Sequence, residues 1–426
     1  MGGHPDQPGH PGRPARAAAG ATADVLVVGG GVIGLAIAWR AAQRGLRVTL
    51  ADPDPAGGAT HAAAGMLTPV AEAAYAEREL FALGSESLDR YPAFVAELAE
   101  LTGLPTGFRQ TGTLQVAYDR DDLAVLTEQH QLQEAFGRPA RRLTGRECRA
   151  AEPLLDPSVR GGLLADADGS VDPRMLARAL QAAARLAGVR FVPQRATELI
   201  TARGAVGPAS RVTGARLADG STVPAAWVVL AAGWQSVAIG GLPAAAAVPV
   251  RPVKGQILRL RPTAATRAAG LPPALLTRTV RGLVRGSAVY LVPRHDGELV
   301  VGATQEEMGP DTTVTAGGVW ELLRDARLLV PGITELELAE AVAGLRPGTP
   351  DNAPVIGPAA LAGLVWATGH FRGGVLLAPV TADIVTEYLE SERLPGLALP
   401  FTPQRFGAVA AGAGTGGADV RAATWR

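Results

Sequence analysis

Cysteine is nearly absent. Cys148 is the only one in 426 residues, which excludes an intrachain disulfide framework and any cluster of thiolate metal ligands. Histidine is scarce too: His4, His10, His61, His130, His295 and His370 include no pair at a ligand spacing such as i, i+4, so no metal site is expected. No stretch approaches the roughly 18 consecutive apolar residues that a bilayer span requires, and no membrane partner is expected. Neither charge sign is in excess. Forty basic residues balance forty acidic ones, which removes any electrostatic argument for nucleic acid or an anionic lipid surface.

What remains is an ordinary globular composition, 47% hydrophobic and 19% charged, in a chain long enough for about two domains. Residues 1–22, rich in Gly and Pro without an apolar run of signal-peptide length, read as a disordered leader. Residues 407–426 read as a frayed Gly/Ala-rich tail. These features together predict a cytoplasmic enzyme; composition leaves self-association into a homo-oligomer open.

The strongest local signal lies in Asp24–Asp52. An apolar strand, Val25–Val28, runs into Gly29-Gly30-Gly31-Val32-Ile33-Gly34, then a helix over Leu35–Arg44 stopped by Gly45, then a second strand over Arg47–Leu50 ending near Asp52. This is a βαβ unit with G-x-G-x-x-G at the strand-to-helix turn. Gly29 permits the tight turn, Gly31 lets backbone approach a pyrophosphate, and Gly34 allows helix and strand to pack closely. The helix start offers free N–H groups and a partial positive charge to phosphate. Asp52, 18 residues after Gly34, suits a ribose diol and would repel a 2′-phosphate. The unit predicts a dinucleotide; FAD and NAD both use it.

Three later segments favour FAD. Gly57–Leu67 is a small-residue stretch through which backbone can pass close to a flat ring. Ala226–Trp234 is a buried strand closing on a small-residue turn at Ala232, Gly233 and Trp234. Leu364–Ala367 is a third strand, followed by Thr368-Gly369-His370-Phe371-Arg372-Gly373-Gly374 and a helical segment, Val375–Leu389. A glycine pair opening a helix aims N–H donors at one spot, which suits the flavin edge where reduction deposits negative charge. The flavoprotein reading assigns cofactor contacts to Gly29, Gly31, Val32, Ile33, Gly34 and Asp52. It adds Thr60, His61, Ala63, Ala64, Gly65 and Met66, the Ala232–Trp234 turn, and His370 through Gly374 with Val375 and Leu376.

From about Ala23 to about Phe406 the chain resembles the D-amino-acid-oxidase-type FAD oxidoreductases, and within them the glycine oxidases of thiamine biosynthesis. The stretches that carry the resemblance are VVGGGVIGLAIAW, AAAGMLTPVAE, VVLAAGWQS, PVKGQIL, VYLVPR, LVVGAT, GLRPGTPDNAPVIG and GHFRGGVLLAP. The resemblance implies an α/β fold with a discontinuous Rossmann-like FAD-binding domain (23–85, 146–247 and 339–406). It also implies a mostly antiparallel substrate domain (86–145 and 248–338). Asp296-Gly297 between Val289–Pro293 and Leu299–Ala303 signals one hairpin of that sheet.

It further implies that Arg346 binds the carboxylate of a small amino acid, that Tyr290 helps hold it, and that Arg372 lies beside flavin and substrate. An arginine fork suits a carboxylate. Read as residues alone, Arg346 also fits a structural salt bridge, Tyr290 sheet packing, Arg372 a loop cap, and His61 and His370 packing or hydrogen bonding. The implied reaction is oxidative deamination of glycine, with sarcosine and small D-amino acids as further substrates and molecular oxygen as acceptor, yielding an imine for the thiamine thiazole. Covalent flavin attachment, as in monomeric sarcosine oxidases, needs a cysteine near the C-terminal part of the chain; Cys148 is far from any such motif, so FAD is expected to be non-covalent. Where a glycine oxidase carries methionine after the LVVGAT stretch, this chain has Gln305, which bears on substrate size and polarity if it lines the pocket. Two other readings compete: a D-amino-acid or N-methyl-amine dehydrogenase with a non-oxygen acceptor, and a non-catalytic flavin-binding subunit.

Overall fold

The computed structural model describes residues 23–202, 211–268, 270 and 272–407. The expected leader and residues 408–426 of the expected tail lie outside them. Strand β1 (Ala23–Val28) is central to the first sheet. Val25 and Val27 enter one apolar cluster, while Leu26 and Val28 enter another on the opposite face. Burial on both faces is why this strand reads as an unbroken apolar run rather than an alternating one. Gly29, at φ +106°, turns the chain into helix α1 (Val32–Gln43), and strand β2 (Val48–Ala51) follows.

The sheet order is Val355–Pro358, Leu364–Thr368, Thr222–Leu230, β1, β2, Arg190–Val192. All neighbours are parallel except the outermost pair, Val355–Pro358 with Leu364–Thr368. An antiparallel extension, Ala196–Thr201 and Val212–Leu217, grows from the Thr222 end of the third strand. One face is covered by α1 and the helices Arg78–Thr102, Pro173–Leu186 and Ala378–Ser391. Packed between sheet and helices, α1 buries nine of its twelve residues, Trp39 included, so its sequence carries almost no polar side.

The second sheet runs Glu337–Gly348, Arg251–Arg261, Leu299–Gly302, Ser287–Pro293, Thr279–Val284, Thr113–Ala117, Gly161–Ala165, Arg141–Thr144. Only Thr279–Val284 and Thr113–Ala117 pair in parallel. The hairpin signalled by Asp296-Gly297 is present, with Gly297 at φ +88°. Alternation sorts its side chains: Val289 and Leu291 enter the core on one face under the helix Ala316–Leu329, while Tyr290 and Val292 point to the other. Among the described residues no helix is long and apolar enough to cross a membrane.

Several sequence boundaries move. Gly161–Ala165 and Glu337–Gly348, assigned in whole or large part to the FAD-binding unit, hydrogen-bond into the second sheet. The helix Arg78–Thr102 crosses the boundary drawn at residue 86 and packs in the first core. Strand pairing is a long-range choice that local pattern does not encode. The helix expected over Val375–Leu389 spans Ala378–Ser391; Gly373 closes a preceding 3₁₀ turn, Phe371–Gly373, and Pro379 lies in the helix's first turn.

A Cβ at position 34 would collide with the Gly29 carbonyl oxygen. Gly34→Ala is therefore expected to lower stability by about 1–3 kcal/mol through overpacking and to weaken cofactor retention, as measured by Tm and by the flavin-to-protein absorbance ratio.

Candidate active site

One continuous cavity of about 1000 Å³ runs from Asp52 and Arg195, past the start of α1, to Tyr290 and Arg346 on the second sheet. That is the upper end of the range for small-molecule sites. At the α1 end, Gly31 is the N-cap and offers no side-chain acceptor of its own. Thr60 supplies one from 28 residues away, its hydroxyl accepting from the Val32 N–H at 3.0 Å. A Cβ on Gly31 would meet only Thr60, at 3.4 Å, so the space in front of the helix start is open to a ligand. The Asp52 carboxylate is fixed by two backbone donors, the Gly30 N–H at 2.6 Å and the Asp54 N–H at 2.8 Å. A helix N-terminus facing open space with a held acid beside it fits a dinucleotide.

Between the two ends, the cavity wall is formed by Ala62–Met66 from the small-residue stretch and by Ala231–Trp234. Gly65, at φ +74°, packs so tightly on the Val171 carbonyl that a Cβ would clash. Thr368 ties the opposite wall by donating to the Gly233 carbonyl at 2.8 Å.

At the second-sheet end, residues directly opposed across four strands form a row: Ile257, Gly302, Tyr290 and Arg281. Gly302 is obligatory beside Tyr290, since a Cβ there would strike the phenol. Arg346 reaches over this face from the neighbouring strand. Its guanidinium lies flat across Gly255, within the space a Cβ would fill, and Nη1 donates to the Thr304 carbonyl at 3.1 Å and the Lys254 carbonyl at 3.4 Å. No carboxylate among the described residues lies within ion-pair distance of Arg346. Burial pushes the Tyr290 hydroxyl up in pKa, and the Arg346 guanidinium beside it acts the other way.

Most predicted residues line the cavity: Gly29, Gly31, Val32, Ile33, Asp52, Thr60, Ala63–Met66, Ala232–Trp234, Tyr290, Arg346, His370–Arg372, Gly374 and Val375. Gln305 lines it as well, so its departure from methionine falls at the pocket wall. Four do not line it. Gly34 acts one layer behind, through packing. Gly373 and Leu376 face a small adjoining cleft instead. His61 turns away from the cavity, its Nε2 lying 3.4 Å from Glu340.

Arg372 lines the cavity but is held by an acid: Nη2 donates to Glu77 at 2.6 Å, with Glu72 3.9 Å from Nε. His370 is buried, pairs with the Thr381 hydroxyl at 3.1 Å, and has its pKa driven down to about 3 by burial. Burial thus disfavours the imidazolium form and makes the ring a poor proton acceptor. Cys148 is buried in the core of the second sheet, its thiol pushed up to about 11, and is remote from the cavity.

Sequence reasoning missed Gly255, Glu72, Arg281 and Arg294. Gly255 stood within the quoted PVKGQIL stretch, but only the crossing guanidinium explains it. Arg294, lowered to about 10 by burial, donates to the Ala64 carbonyl at 2.7 Å and the Val171 carbonyl at 3.1 Å, bolting the small-residue stretch to the second sheet. It closes the quoted VYLVPR stretch, but only the two carbonyls it reaches explain it.

A family model described as FAD dependent oxidoreductase matches residues 24–388. The bifunctional protein ThiO/ThiG of Trichormus variabilis is 33% identical over 385 residues, covering 90% of this chain and 55% of that protein. The chain thus spans about half the length of the bifunctional relatives it matches. Glycine oxidase of Geobacillus kaustophilus is 33% identical over 386 residues, covering 90% of this chain and 97% of that one. A crystal structure of glycine oxidase from the same organism superposes with a TM-score of 0.80 at 31% identity, covering 90% and 98%.

Two outcomes test the site. Gly255→Ala is expected to push the Arg346 guanidinium off its seat and raise KM for a carboxylate substrate at least fivefold in steady-state assays. For His370, the unfolded chain takes up a proton below about pH 6.5 that the folded chain refuses until about pH 3, so stability falls as pH drops through that window, by up to about 1.4 kcal/mol per pH unit. His370→Gln is expected to flatten Tm against pH between 6.5 and 4, relative to the parent protein.

Proposed function

The chain belongs to the FAD-dependent oxidoreductase family, and from that premise we propose that it oxidatively deaminates glycine, with sarcosine and small D-amino acids as slower substrates. The observation that carries this reading is the unpaired guanidinium of Arg346 beside the Tyr290 hydroxyl inside the cofactor cavity. A cation left without an acid and aimed into a cavity fits an anionic ligand, and its planar fork matches a carboxylate. The names of the relatives support a substrate of that size.

FAD, when bound, supplies the two-electron acceptor for the substrate. The residues that would hold it are Gly29–Ile33 and Asp52 at the nucleotide end, with Ala63–Met66 and Ala232–Trp234 along the ring system. The chain's own work is orientation. Arg346 grips the carboxylate, and Tyr290 donates a hydrogen bond to it. Fixing one end of so small a molecule fixes where its Cα–H points. His370 is neutral and bonded to Thr381, and no other cavity group is required as a base, so the amine must enter as the free base for its lone pair to assist Cα–H cleavage. The net reaction is glycine, oxygen and water to glyoxylate, ammonia and hydrogen peroxide. The intermediate imine is the form that would feed the thiamine thiazole. A flavin link through Cys148 does not fit, because that thiol is buried in the core of the second sheet.

An anaerobic titration with glycine, sarcosine and D-alanine is expected to bleach the flavin absorbance, with glycine giving the highest kcat/KM on readmission of air and peroxide formed in step. Reduction of a dye without peroxide would favour a dehydrogenase, and no bleaching by any amine would favour a non-catalytic subunit. Arg346→Ala is expected to lower kcat/KM at least tenfold through loss of charge-assisted bonds; an unchanged value would remove the site assignment.

A further inference from the structure

The cavity holds a second arginine facing the same space as Tyr290. Arg281 is directly opposite Tyr290 in the strand register, so the two side chains share one face of the sheet. Its Nη1 donates to Glu72 at 2.5 Å and lies 3.7 Å from the Met66 sulfur. Nε and Nη2 make no hydrogen bond among the described residues. Arg281 and Glu72 are both mostly buried, with side-chain exposures of 24% and 18%, so their attraction is less screened than at a surface. The Tyr290 hydroxyl is within electrostatic reach of all three, Arg346 and Arg281 favouring its ionised form and Glu72 opposing it.

Glu72 is held there by an unusual amount of structure. Asp168, buried, accepts from the Val70 and Ala71 N–H groups at 3.3 and 3.1 Å. Gln115 and Gln129 both donate to the Ala71 carbonyl, at 3.0 and 2.9 Å, and Gln133 donates to the Val70 carbonyl at 3.0 Å. Buried polar networks of this kind rigidify when satisfied and are costly when not. This one fixes the two residues immediately before Glu72.

Arg195 stands at the Asp52 end of the cavity, and charge accounting separates the three arginines at the second-sheet end. There Arg281 is neutralised by Glu72 and Arg372 by Glu77, which leaves Arg346 for a ligand. Accepting the amino-acid oxidase reading above, we propose that Glu72 is a built-in counter-carboxylate that masks Arg281 and confines the site to amines carrying a single carboxylate. A substrate with a second carboxylate, such as an N-carboxymethyl amine, would have to displace Glu72 from Arg281 or sit against it with like charge. Both cost affinity. Removing the Glu72 charge frees Arg281 as a second anion seat without touching Arg346.

The test compares kcat/KM for iminodiacetate and for glycine in the holoenzyme. The parent protein is expected to favour glycine by at least tenfold. Glu72→Gln is expected to raise the iminodiacetate-to-glycine ratio at least tenfold, and Glu72→Gln with Arg281→Gln to lose that gain. Glu72→Asp, which withdraws the carboxylate by one methylene, gives a smaller rise in the same direction and serves if the Gln variant does not fold. A parent ratio within tenfold of unity, no rise on Glu72 substitution, or a gain that survives Arg281→Gln each overturns the proposal. Succinate, which has no amine to oxidise, is titrated separately by its flavin spectral shift. Tighter succinate binding in Glu72→Gln alongside failure of glycine to bleach the flavin would keep the masking and overturn the oxidase reading instead.

Discussion

A guanidinium lying on a glycine is the contact around which the second-sheet end of the cavity is arranged. Arg346 crosses Gly255 where a Cβ would stand, and two backbone carbonyls, of Thr304 and Lys254, take up some of its N–H groups. Carbonyls satisfy donors without neutralising charge. A carboxylate at that point would have made a stable ion pair and filled the seat. With carbonyls instead, the arginine is held in place while its charge stays available, which is the condition for binding an anion that must arrive and leave.

The cations nearby are treated differently. Arg281 and Arg372 meet Glu72 and Glu77, and Arg294 is spent on the Ala64 and Val171 carbonyls with Asp172 3.6 Å from its Nε. Arg174 makes a two-pronged contact with Glu340 at 2.9 Å on each prong while its Nε donates to the His61 carbonyl. Electrostatic selectivity therefore comes from which arginine lacks an acid, since the number of arginines near the site says little.

The nucleotide end was legible because its physics is local. Gly34 and Asp52 act on Gly29 and Gly30 within one βαβ unit, and the spacing alone implied the turn, the close packing and the held acid. The apolar strands at Val25, Val228 and Leu364 were legible too, since burial on both faces leaves an unbroken hydrophobic run. The second sheet was not. Gly161–Ala165 pairs with Thr113–Ala117, and Glu337–Gly348 with Arg251–Arg261, across separations that no periodicity reports. Arg346 and Tyr290 came from family resemblance; residues alone left each with a structural alternative. Glu72 closes the quoted AAAGMLTPVAE stretch, but its pairing with Arg281 carried no signal, because an acid and an arginine 209 positions apart become a pair only when Met66–Glu72 is folded against the second sheet.

That folding explains how two sheets come to share one site. The segment between Ala59 and Glu72 belongs wholly to neither: Thr60 caps α1, Met66 and Leu67 pair with Gly169 and Ser170, Arg294 of the second sheet grips Ala64, and Arg281 of the same sheet grips Glu72. The side chains along it are mostly too small to contribute packing of their own, so its position is set by what reaches it from outside. Small residues allow close approach of a ring, and by the same property they need long arginines to hold them. The segment's composition and the arginines that surround it thus follow from one requirement: backbone that is to admit a flat ring must carry small side chains, and something farther away must then hold it.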